Sequence, residues 1–148
     1  MDKFDRYFKS KHLKINEKLV NTYSKYDDNT LLISNGYSVV YTKTIRNDFK
    51  ENINYSYSIN RYFYNFSDDS NEVMMKLDID KIKNGLDSDK NYRFAKNYSL
   101  EYTQLKKIID IIGCEEINVL SRDNFDTCFI KILGKNSQVG YLLPCRVY

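Results

Sequence analysis

Two short runs in this chain carry residue types able to hold a divalent cation beside a base. Asp78-Ile-Asp80 pairs two carboxylates, and Asp48-Phe-Lys50 sets a carboxylate next to a lysine. In metal-dependent nucleases, carboxylates hold Mg²⁺ and a lysine assists the attacking water. Neither run is followed by a further ligand at a recognisable spacing, and 20 acids in a chain of this size generate such fragments by chance. His12 is the sole histidine and follows Lys11 at the predicted end of a helix, which suits a surface residue better than a general base. Phosphate loops of the Walker type do not occur. Cys114, Cys128 and Cys145 are odd in number and widely spaced, giving neither a disulfide framework nor a Cys-x-x-Cys metal pair. With convergent titratable groups missing, the chain reads as non-enzymatic, with no cofactor or metal, and a small metal-dependent nuclease is kept as an alternative.

Composition sets the frame for these residues. A length of 148 residues suits one domain with a single core, and the 14 Tyr and 8 Phe supply the bulk that the missing Trp does not. The net charge of +3 is too small to imply nucleic acid by itself, and it also argues against an acidic DNA mimic. Apolar runs stay well short of the roughly 20 residues of a membrane span, and the charged residues 1–6 lack the apolar centre of a signal peptide, so cytoplasmic residence without membrane attachment is expected. Lys, Asn, Ile and Tyr dominate while Ala95 and Pro144 each stand alone of their kind, the signature of an AT-rich gene such as that of a low-GC Gram-positive bacterium or one of its phages.

The elements follow from periodicity. Phe4, Tyr7 and Phe8 fall at i, i+3, i+4 and predict a short amphipathic helix over 2–11, with Lys3, Arg6 and Ser10 on its other side. Residues 18–26 and 30–34 flank the turn cluster Asp27-Asp28-Asn29, and Asn35-Gly36 precedes 37–42, predicting three strands in meander order. Ile53, Tyr55, Tyr57 and Ile59 alternate with polar residues as one face of a half-buried strand. An aromatic stretch over 61–66 and a polar loop over 67–71 follow; residues 73–79 fit a strand or a short helix. Asn84-Gly85 and 87–90 link two halves, about 1–85 and 90–148.

In the second half, 93–98 predicts a short strand and Ser99 a helix cap, with Glu101 suited to the positive end of the helix. Leu105, Ile108, Ile109 and Ile112 form its apolar stripe, and Gly113 its terminating glycine. Residues 117–120 and the alternating Cys128, Ile130 and Ile132 predict two strands, and 134–137 a turn. Val139, Tyr141, Leu143, Cys145 and Val147 line one last strand, and Pro144, which cannot donate to a ladder, places that stretch at an edge or with its missing N–H facing outward. The fold class is α+β: a single domain, 1–148, of two helices packed on antiparallel meander sheet.

A helix followed by three strands, closing on Leu143-Pro-Cys-Arg-Val147, resembles the end of a bacterial DNA sliding clamp, whose last strand finishes in a similar Met-Pro-Met-Arg-Leu. Ile33-Ser-Asn-Gly-Tyr37 occupies the place where many clamp repeats carry Thr-Asp-Gly, with Asn35 replacing the acid. A clamp domain consists of two similar halves, each roughly a strand, a helix and three strands, and this chain lacks the strand before its first helix. The resemblance implies that the helix-borne Lys3, Arg6, Lys106 and Lys107 face duplex DNA without reading its bases. It further implies that Leu143, Pro144, Cys145 and Arg146 border a site for short peptides. Because one domain closes a ring only by assembling with copies of itself, a homo-oligomer is also implied. Tyr62, Phe63 and Tyr64 are too consecutively aromatic for one sheet to bury them all, which adds them to the partner-contact candidates. The expected partner is a protein of host or phage DNA-processing machinery. The alternative outside replication is a phage inhibitor of a host defence such as a CRISPR nuclease.

Overall fold

The computed structural model describes residues 1–9, 18–52, 72–76, 80, 82, 91–95, 98–121, 128–142 and 145–146. The predicted strand at 53–59, the link at 84–90, Tyr62, Phe63, Tyr64, Leu143, Pro144, Asp78 and His12 lie outside these residues. The described elements are α1 (Lys3–Phe8), β1 (Thr22–Lys25), β2 (Leu31–Ser34), β3 (Ser38–Thr42), β4 (Lys50–Glu51), β5 (Glu72–Lys76), β6 (Asn91–Ala95), β7 (Tyr98–Glu101), α2 (Tyr102–Ile112), β8 (Glu116–Ser121), β9 (Cys128–Leu133), β10 (Val139–Leu142) and β11 (Cys145–Arg146). The α+β class stands.

Eight strands form one sheet in the order β4-β1-β2-β3-β10-β9-β8-β5, and β11-β7-β6 form a second sheet. The large sheet is antiparallel except where two-residue β4 joins β1 in parallel. Its organisation is a doubled one. A helix precedes the meander β1-β2-β3, a second helix precedes the meander β8-β9-β10, and the two meanders meet through their last strands, β3 against β10. Arg6 of α1 meets Asp110 of α2, and the Lys9 carbonyl just past α1 meets Lys107, so the neighbouring helices run antiparallel.

Register explains why the core lies on one face. The row Ile33–Val40–Gly140–Ile132–Ile117 runs across five strands, and all of its side chains are buried. Phe4, Tyr7 and Phe8 of α1 and Leu105, Ile108, Ile111 and Ile112 of α2 pack on that face in one core, together with Phe49, Ile82 and Leu100. Gly140 is needed there, because a Cβ at that position would lie 2.4 Å from Ile108 Cγ2. Alternation sends the neighbouring positions Leu32, Val39, Tyr41 and Tyr141 to the opposite face, where they are buried as well.

Local chemistry sets the helix limits. Asp2 caps α1 reciprocally with Asp5: the Asp5 amide donates to Asp2 Oδ1 at 2.9 Å and the Asp2 amide to Asp5 Oδ2 at 3.3 Å. The helix ends at Phe8, short of the expected residue 11. α2 starts at Tyr102 and not at Ser99, because Ser99 is buried in β7 and Leu100 reaches the core; Glu101 then takes the cap position, where its side chain does not cap the helix. The buried stripe is also rotated from the expected one: Ile111 is buried, whereas Ile109 is only half-buried. Gly113 ends the helix as expected, at φ 72° and with its amide donating to the Ile109 carbonyl at 2.8 Å.

One open expectation, the strand or helix over 73–79, is settled over its described residues, and two others change. Residues 72–76 form a strand, β5. The predicted strand over 93–98 is a hairpin of β6 and β7. The single last strand is two, since β10 completes the large sheet whereas Cys145–Arg146 pairs with β7 in the small one. Among the described residues, no helix is long and apolar enough to cross a membrane.

Candidate functional site

The helix pair presents the four cations expected to face DNA. Arg6 and Lys106 are exposed and Lys3 and Lys107 half-buried, but several are engaged by the protein itself. Arg6 Nε pairs with Asp110 Oδ2 at 3.1 Å and Nη1 donates to the Met1 carbonyl at 2.8 Å. Lys107 Nζ donates to the Lys9 carbonyl at 2.6 Å, closing the end of α1, and burial lowers its pKa. Lys3 Nζ lies 5.2 Å from the Phe4 ring centroid. Over residues 2–9 and 101–110 the five cations Lys3, Arg6, Lys9, Lys106 and Lys107 stand against four acids, Asp2, Asp5, Glu101 and Asp110. Such a face holds little excess charge with which to displace counterions from a duplex.

Arg46, on the loop after β3, organises the start of α1. Its Nη1 donates to Asp2 Oδ2 at 2.7 Å and Asp5 Oδ1 at 2.9 Å, its Nε to Asp48 Oδ1 at 3.1 Å, and its Nη2 to Asn21 Oδ1 at 3.0 Å. The guanidinium also lies 5.5 Å from the Phe49 ring centroid, and Phe49 packs edge-on against Phe4 and Phe8. The Asp5 amide in the first place, and Arg46 in the second, hold the Asp2 carboxyl down at about 2. Asp48 therefore serves Arg46 and Asn21, while Lys50 begins the exposed strand β4. Among the described residues, no group of three or more His, Cys, Asp or Glu could hold a metal ion.

A second cluster lies where α1, α2 and the β2–β3 turn converge. Asn35 is buried; its Nδ2 donates to the Tyr7 carbonyl at 2.9 Å and to Gln104 Oε1 at 3.2 Å, and its Oδ1 accepts from the amides of Tyr37 and Ser38, both at 3.0 Å. Tyr7 Oη donates to the Ser38 carbonyl at 3.1 Å and accepts from Ser38 Oγ at 3.1 Å; its burial raises the phenol pKa. An acid at 35 would set a carboxylate against two acceptors, the Tyr7 carbonyl and Gln104 Oε1. The amide is needed because it both donates and accepts. This cluster ties both helices to one turn, and every interaction in it is internal.

On the sheet face away from the helices, Tyr41 packs edge-on between Tyr26 and Tyr141, and Lys131 Nζ lies 6.0 Å from the Tyr141 ring centroid. Burial pushes the Tyr141 phenol up to about 12 and raises that of Tyr41. Tyr26 is half exposed. Of the terminal segment, Cys145 lies opposite Ser99 and Arg146 opposite Tyr98, at the edge of the three-stranded sheet among the described residues.

The expected cations are thus brought onto one helix layer, while β11 is assigned to a different sheet from β10. Arg46 and Asn35 were not anticipated as organising residues. The Asp2-x-x-Asp5 spacing is a legible cap, but nothing local ties Arg46 to it across 44 positions. Comparison with known proteins finds no matching family model, no matching curated protein and no matching solved structure.

Proposed function

We propose that this chain is a non-enzymatic, clamp-like binding domain of the cytoplasm that docks on a protein of host or phage DNA-processing machinery. The observation that carries this reading is the doubled helix-then-meander order with antiparallel helices on one face of a continuous sheet, the plan expected of a clamp domain. Docking falls to the β11 edge, where an extended peptide would add a strand beyond Cys145–Arg146 by main-chain hydrogen bonds. Protein is favoured over duplex DNA as the direct partner because Arg6 is paired with Asp110 and Lys107 is spent on the Lys9 carbonyl.

A photocrosslinking residue at position 146, introduced in the host cell, tests the proposal. The expected product is a covalent adduct with a replication or repair polypeptide, reduced by changes in the flanking edge. Adducts with a defence nuclease would move the assignment to an inhibitor, and adducts with neither class would overturn it. For DNA, the absence of any gel shift by the unmodified protein at low salt removes the duplex as a partner. A shift abolished by Lys106→Glu with Lys107→Glu restores it.

A further inference from the structure

We draw no further inference here: the strongest candidate, the side-chain cluster of Tyr26, Tyr41, Tyr141 and Lys131 on the sheet face away from the helices, carries nothing because nothing in the structure shows what covers it.

Discussion

In the first half of the molecule, a helix of six residues is fixed to the sheet by aromatic rings, a guanidinium and a buried amide; in the second, a helix of eleven residues lies on the same sheet through Leu105, Ile108, Ile111 and Ile112. Both halves share a helix followed by a three-stranded meander. Helix length separates them. Six residues are too few to form a stable helix alone and offer only three buried side chains, so α1 needs directional bonds at both ends: Arg46 at Asp2 and Asp5, Asn35 at the Tyr7 carbonyl. Three turns of helix bury enough aliphatic surface, at about 1.5–3 kcal/mol for each large side chain, to dispense with a side-chain cap.

If aliphatic packing fixes the second half, Ile108→Ala will produce the largest loss, about 2–5 kcal/mol in chemical denaturation. A loss within about 0.5 kcal/mol would break the contrast, since surface positions behave that way. Next comes Gly140→Ala, expected to cost about 1–3 kcal/mol because the added methyl meets Ile108 Cγ2. In an Ile108→Ala background the same change should cost less, and a double-mutant cycle showing simple additivity would mean that the two residues do not meet.

The first half should respond to changes that barely alter volume. Asn35→Asp keeps an acceptor for the amides of Tyr37 and Ser38 but turns a second one toward the Tyr7 carbonyl and Gln104 Oε1, and should destabilise by about 1–3 kcal/mol. A melting temperature equal to that of the parent would show that the amide is not the tie between the helices. Arg46→Gln is expected to lower Tm by only a few degrees, and by less in high salt, since its pairs are solvent-facing. A salt-independent drop would point to lost packing on Phe49 instead.

The smallest effect is on acid stability. The Asp2 carboxyl is held at about 2 against an ordinary 3.8, so it binds fewer protons folded than unfolded. Its contribution is present above pH 3.8 and is lost as pH falls toward 2. Asp2→Asn retains a capping acceptor but removes the charge, and should flatten Tm against pH in that window. An unchanged profile would exclude Asp2 as the titrating group.

Elements whose signals are local were legible in the sequence. The Asp27-Asp28-Asn29 and Asn35-Gly36 turns, the two meanders and Gly113 follow from patterns within a few residues, and Leu105, Ile108 and Ile112 from helical spacing. Ile109 lies at i+4 from Leu105 and Ile111 at i+3 from Ile108, so helical spacing admits either edge of the stripe, and only the packing partner decides which edge turns inward. Ser99 looked like a cap because serine competes well for that place; strand pairing with β6 and burial of Leu100 outweighed it. The break between β10 and β11 was hidden because alternation continues through Leu143-Pro144-Cys145 whichever sheet each part joins. Of the candidate site, the cations were legible as helix-borne. Their engagement was not, because Arg6 with Asp110 and Lys107 with the Lys9 carbonyl join residues about a hundred positions apart.

The seam between β3 and β10 has a consequence for how the chain is made. Each meander can zip through neighbours close in sequence, whereas the seam joins strands across a span of the kind bridged by Thr42 Oγ1 and Gln138 Oε1, 2.8 Å apart and 96 positions distant. Closing so large a loop is slow compared with forming a hairpin. On the ribosome, Ser38–Thr42 therefore lacks its β10 partner until Val139–Leu142 has been synthesised, and during that interval this β-prone edge is open to pairing with the wrong chain.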